Sequence, residues 1–174
     1  LVGRVGAVET LRLLASDGAV PGMGNEAAAL WRRHFQPERQ PNAKRDALRT
    51  TEALGLSTLI PGDQGFPASL HDLRERVPYV LWVKGAVSLL AGDLTERFSI
   101  TGSRAATSYG VHVAGEIASD LASQEKVLVS GGAYGIDAAV HRAALAAGGH
   151  TVAVLAGWLD RPYPVEQREL LERI

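Results

Sequence analysis

Three times in the second half of the chain a short apolar run breaks into a glycine-rich turn and re-emerges with apolar residues at helical spacing. The segments are FSITGSRAATSYGVHVAGEI from Phe98, VLVSGGAYGIDAAVHRAAL from Val127 and TVAVLAGWLDRPYPVEQREL from Thr151. Strand period giving way to helix period, unit after unit, predicts an α/β fold with a parallel sheet and all three turns along its carboxyl edge. Open sheets of this kind take their ligands at that edge. Backbone N–H groups at the helix starts, freed of side-chain bulk by Gly102, Gly131, Gly132, Gly135 and Gly157, suit negatively charged oxygens. An anionic ligand is the first expectation.

Upstream, Val5, Val8, Leu11, Leu14 and Ala15 recur at helical spacing, and residues 25–35 repeat the pattern after the breaker AVPGMG. The stretch QPERQPNAKRD at 36–46 reads as a loop leading to a further helix at 47–54. Residues 1–55 are therefore expected to form a small all-helical domain (SAM-like or helix-hairpin-helix), with the α/β domain at 56–174. Gly3, Gly6, Gly22 and Gly24 permit a helix-hairpin-helix in which backbone amides touch phosphates, but caps in a small bundle need the same glycines, and the bundle is the preferred reading. Short strands are expected at 57–60 and 79–83, extending the sheet on one side, with a helical turn at 68–73 between them. The third unit stops inside its helix at Ile174, so the sheet is expected to continue in residues beyond it.

Composition narrows the classes. The 174 residues contain no cysteine, which removes disulfides, thiolate metal sites and cysteine nucleophiles, and a cytoplasmic home is the simplest reading. No apolar run approaches the ~20 residues that cross a bilayer. Net charge is −1, with eight basic and six acidic residues in 1–60 and ten and thirteen in 61–174. A phosphate-binding surface on the α/β part must therefore be local, because the long-range field does not gather a polyanion.

In the first turn Gly102 reverses the chain, Ser103 and Thr107 offer hydroxyls, and Arg104 is the lone charge; a guanidinium beside a helix start matches a phosphate. The plainer alternative is an exposed arginine with Thr107 or Ser108 as an ordinary cap. The second turn, S-G-G-A-Y-G-I-D from Ser130 to Asp137, lacks the Lys-Ser or Lys-Thr of a Walker A loop. It also fails the dinucleotide fingerprint, which would put an acidic residue where Ser130 stands. Asp137, one turn into a helix, suits the helix dipole, and His141, on the same face, is placed to pair with it at i, i+4. With no nucleophile in sight, the two read as a brace for the loop. Tyr134 at the loop tip offers a ring for stacking on a base, or for packing over a neighbouring loop. The third turn brings Trp158, Asp160, Arg161 and Tyr163, with Pro164 at a first helical position. His34, His71, His112 and His150 show no metal-ligand spacing, and no metal or cofactor is expected.

The motifs GSRAATSYG from Gly102, SGGAYGIDAAVHRAAL from Ser130 and AVLAGWLDRPYP from Ala153, with a weaker match in IPGDQGFPASLHDLRERVPYVLWVKG from Ile60, resemble the DNA processing protein A (DprA/Smf) family. The match runs in the family's order over most of 57–174, and the chain reads as a fragment lacking the carboxyl-terminal part. The resemblance implies a Rossmann-like domain that binds single-stranded DNA without sequence preference and helps load a RecA-class recombinase during natural transformation. It further implies a homodimer in the complete protein and no enzymatic activity. Carried over by position, Arg104 is the principal phosphate contact, with Gly102, Ser103, Thr107, Ser130, Gly131, Gly132, Tyr134 and Gly135 lining the site. Asp137, His141, Asp160, Tyr163 and Pro164 shape the loops. Tyr134 replaces a basic residue of some members, Trp158 a common glycine, and Gln167 a common Asn or His. The competing expectations are a nucleotide-binding enzyme of the phosphoribohydrolase type, whose P-G-G-x-G-T loop does not occur here, and a scaffold with vestigial loops.

Overall fold

The structure is a computed structural model that describes residues 13, 16–34, 43–157, 159 and 164–174. The chain divides into two compact units, residues 1–83 and 84–174.

In the first unit, helix α1 (Asn25–His34) buries Ala28 against Leu13 and Val20, with Met23 and Trp31 at the margin. Arg32 ties this cluster together by donating from Nε to the Leu13 carbonyl at 2.9 Å. Apart from Leu13, which is helical, the helix expected at 5–15 lies outside the described residues. Helix α2 (Ala43–Ala53) starts earlier than expected, because Ala43 and Lys44 are strong helix formers. It ends where Gly55, at φ +63, turns the chain so that Leu56 N–H reaches the Thr51 carbonyl at 3.0 Å.

Strands β1 (Ser57–Leu59) and β2 (Leu81–Val83) correct one expectation: they do not extend the parallel sheet but pair with each other, antiparallel, Ser57 opposite Val83. Strands paired in parallel are usually joined by a crossover helix. The connection supplies only a 3₁₀ run, Ala68–Arg76, broken at Arg74 by a φ of +53, and the chain folds back on itself.

The second unit holds the three repeated motifs. Strands β3 (Arg97–Ser99), β4 (Val127–Ser130) and β5 (Thr151–Ala153) form a parallel sheet in the order β3-β4-β5. Helices α3 (Ser108–Ser123) and α4 (Ile136–Ala146) connect them, pack on each other and both touch β4. Right-handed crossovers that step the same way across a sheet put both helices on one face. The core between is built from Ala114, Ala118, Ala122, Leu128, Val140 and Ala144. Leu128 and Val140 are the large members, each worth about 1.5–3 kcal/mol of burial, while the alanines let the helices approach closely. Both helices end in the same way: Lys126 N–H bonds the Leu121 carbonyl and Gly149 N–H the Ala144 carbonyl, with Glu125 (φ +61) and Gly148 (φ +74) in the left-handed position. A 3₁₀ turn (Val165–Gln167) and helix α5 (Arg168–Arg173) complete the unit. Among the described residues no helix is long and apolar enough to cross a membrane.

Candidate nucleic-acid interface

The parallel order carries the turns after β3 and β4 to the carboxyl edge of the sheet, where they interlock. The Ile136 N–H, at the start of α4, donates to the Ser103 carbonyl in the first turn at 3.2 Å. Gly135 takes φ +75, and a Cβ there would lie 2.2 Å from the Ser103 oxygen and 2.7 Å from that of Arg104. Gly102 meets Ile136 from the other side, its absent Cβ 2.8 Å from Cγ1 of that residue. Gly135 thus serves the close approach of two backbones, and Gly102 makes room for the Ile136 side chain.

Behind the edge, buried polar side chains fix the turns. Asp137 accepts from the Thr101 hydroxyl at 2.9 Å with Oδ1 and from the Ala133 N–H at 3.3 Å with Oδ2, bridging the first turn to the second. His141 contacts the Gly131 carbonyl with Nε2 at 2.8 Å and the Thr151 hydroxyl with Nδ1 at 2.7 Å. A carbonyl only accepts, so the neutral ring carries its proton on Nε2 and Nδ1 accepts from Thr151. The Leu128 carbonyl, 3.1 Å from the same hydroxyl, is the more distant acceptor. Burial at 0% exposure holds the His141 pKa below its ordinary value, against the opposing pull of the Gly131 carbonyl and the Asp137 charge. The i, i+4 bond expected between Asp137 and His141 is absent. The carboxylate is engaged by Thr101 and Ala133 instead, and the ring by Gly131 and Thr151.

Of the other expected site residues, Ser130 is buried and donates to the Ile100 carbonyl at 2.6 Å, so its hydroxyl belongs to the frame and does not face outward. Thr107 caps α3, accepting from Gly110 N–H at 3.1 Å. At Gly132 a Cβ would meet the end of the Leu155 side chain, 2.4 Å from Cδ2. Ser103 and Arg104 are exposed. The Arg104 guanidinium makes no hydrogen bond or ion pair with any described residue, and the N–H groups of residues 102–106 donate to none. Tyr134 is 39% exposed, and its hydroxyl bonds the Glu166 carboxylate. Pro164 is buried ahead of the 3₁₀ turn, whereas Trp158, Asp160, Arg161 and Tyr163 lie outside the described residues. No group of three or more metal-ligating side chains occurs among the described residues.

Sequence reasoning missed Thr101, Thr151, Arg142 and Glu166. Thr101 and Thr151 flank the turn and strand in the sequence, but their partners are 36 and 10 residues away and follow only from the β3-β4-β5 register. Arg142 donates to Gln167 at 3.2 Å and fastens the 3₁₀ turn to α4, while the Tyr134–Glu166 bond joins it to the second glycine turn.

A parallel, Rossmann-like α/β domain with interlocked glycine turns and outward-facing donors at its carboxyl edge is the class that fold and site define. Comparison with known proteins makes this specific. Residues 57–174 match the model of the family described as DNA recombination-mediator protein A, and the chain belongs to that family. A Mycobacterium tuberculosis chain designated as a DprA-type DNA processing protein is 40% identical over 186 residues, covering 100% of this chain and 45% of its own. The DNA processing protein DprA of Bacillus subtilis is 32% identical over 120 residues, 69% of this chain and 39% of its own. The X-ray structure of DprA from Streptococcus pneumoniae superposes with a TM-score of 0.63 at 26% identity, over 87% of this chain and 49% of that one. The chain thus spans less than half the length of these relatives.

Proposed function

We propose that this chain binds single-stranded DNA without sequence preference, with phosphates on the donors of the two interlocked turns and bases against exposed rings. The observation that carries this reading is the Arg104 guanidinium, exposed and without a partner among the described residues, beside a run of N–H groups that donate to none of them. Such a group gives paired hydrogen bonds to a phosphate and stays ionised. Stacking adds about 1–3 kcal/mol per base without regard to its identity. Relatives named as DNA processing proteins support DNA as the source of the phosphates.

The reading is one of binding without turnover. The buried imidazole is occupied with the Gly131 carbonyl and the Thr151 hydroxyl, both part of the frame behind the turns. In the complete protein the same reading extends to a cytoplasmic homodimer that loads a RecA-class recombinase in natural transformation. A helical domain at 1–55 then precedes the DNA-binding domain at 56–174.

Fluorescence anisotropy of a labelled oligothymidine across a salt series tests it. Affinity is expected to fall linearly on logarithmic axes, and Arg104→Ala to weaken binding and flatten the slope by about 0.7, one phosphate's share on a single strand. Unchanged binding in Arg104→Ala overturns the reading. Release of free base from a nucleotide would move the chain to the phosphoribohydrolase type.

A further inference from the structure

We propose that Glu166 is a positioning residue, whose carboxylate holds the Tyr134 ring as a preset platform for a nucleobase beside the Arg104 phosphate seat; this rests on the single-stranded DNA reading above. The backbone on both sides of Tyr134 is pinned. Ala133 donates its N–H to Asp137 at 3.3 Å, and Gly135 is wedged against the carbonyls of Ser103 and Arg104. The direction in which the tyrosine side chain leaves the chain is therefore fixed, and only two torsions remain to place the ring. The hydroxyl, donating to Glu166 Oε2, fixes those from the far end.

A ring held at both ends and still 39% exposed has surrendered its conformational freedom during folding, before any base arrives. The contact is not needed for packing. Glu166 is exposed, and the 3₁₀ turn that carries it has its own tie to α4 through Arg142 and Gln167. The Tyr134 hydroxyl bond holds the Glu166 carboxyl below the ordinary carboxylate range, so the group is charged at neutral pH. The two charges then divide the edge. A phosphate is drawn to Arg104 and repelled from Glu166, which leaves the base to meet Tyr134.

Two probes of equal length, oligothymidine and an abasic oligomer with the same phosphates, separate these effects by anisotropy. Glu166→Gln keeps an acceptor for the hydroxyl and removes the charge, so both probes are expected to bind roughly twofold to fivefold tighter. Glu166→Ala removes the acceptor too. It is expected to match Glu166→Gln on the abasic oligomer but to fall about threefold to tenfold behind it on oligothymidine, a fraction of one stacked base. Tyr134→Phe, which keeps the ring and loses the hydroxyl, is expected to show a loss on oligothymidine alone, and combining it with Glu166→Ala adds no further loss. Equal oligothymidine binding by the Gln and Ala variants, or no loss in Tyr134→Phe, overturns the positioning role while the DNA reading stands on Arg104→Ala. Undiminished binding in Arg104→Ala overturns both. Matching unfolding midpoints show that the exposed substitutions leave the fold intact.

Discussion

Gly135 and Gly148 both take a positive φ, +75 and +74, but Gly135 has ψ −123, outside the left-handed helical region, and is crowded where Gly148 is open, so substituting alanine at each compares a packed turn with a free one. At Gly148 nothing lies within 4 Å of the place a methyl group would take, so alanine meets only the unfavourable left-handed backbone. That costs about 1–2 kcal/mol. At Gly135 the same methyl would stand 2.2 Å from one carbonyl oxygen and 2.7 Å from another, both belonging to the first turn. Relief requires the two turns to part by about 1 Å, which breaks the Ile136–Ser103 bond and adds an overpacking cost of about 1–3 kcal/mol. Gly135→Ala is therefore expected to cost about 2 kcal/mol more than Gly148→Ala in urea unfolding, with equal m-values. Equal losses at the two positions would refute the interlock, and with it the shape of the edge.

Three further outcomes follow from the frame behind the turns. Thr101→Val removes the donor to Asp137 Oδ1 and leaves a buried carboxylate oxygen short of a partner, a loss of about 1–3 kcal/mol that a calorimetric or urea titration reads directly. His141 has its pKa lowered on folding, so the unfolded chain binds more protons between the folded value and 6.5; stability is expected to fall as pH drops below about 6.5 and to be full above it. His141→Asn should flatten that part of the profile, and a profile unchanged by the substitution would contradict the assignment. Glu125→Gly, at a left-handed helix end, is expected to stabilise the chain by about 1 kcal/mol, seen as a raised midpoint of thermal unfolding.

The parallel units were legible because each depends on local information: strand period, glycine turn, helix period. The register that those periods set also brought the turns at Gly102 and Gly131 to one edge, as expected from alternation alone. What failed to show was whatever depends on pairing across space. The strands at 57–59 and 81–83 carry too few residues to announce their partners, and only the broken 3₁₀ connection decides that they meet each other. Likewise Asp137 and His141 carry helical spacing that favours a mutual bond, yet each finds a better partner brought in by the sheet, Thr101 from the end of β3 and Thr151 from β5. Ser130 is placed by the resemblance among the residues lining the site, whereas the alternation along β4 turns its hydroxyl inward to the Ile100 carbonyl.

Those inward bonds explain why a sheet end is built from polar side chains where apolar ones would serve stability as well. Ser130, Asp137, His141 and Thr151 are all buried, and no buried side-chain nitrogen or oxygen among the described residues lacks a partner. Each bond ends on a turn or on the strand leading into it: Ile100 after β3, Gly131 and Ala133 after β4, Thr151 in β5. No single turn is then free to relax without straining its neighbours. A flexible single strand brings no order of its own to a complex, so whatever order binding requires must already reside in the protein. A polar frame supplies it, because hydrogen bonds fix direction as well as distance, whereas an apolar core fixes only volume.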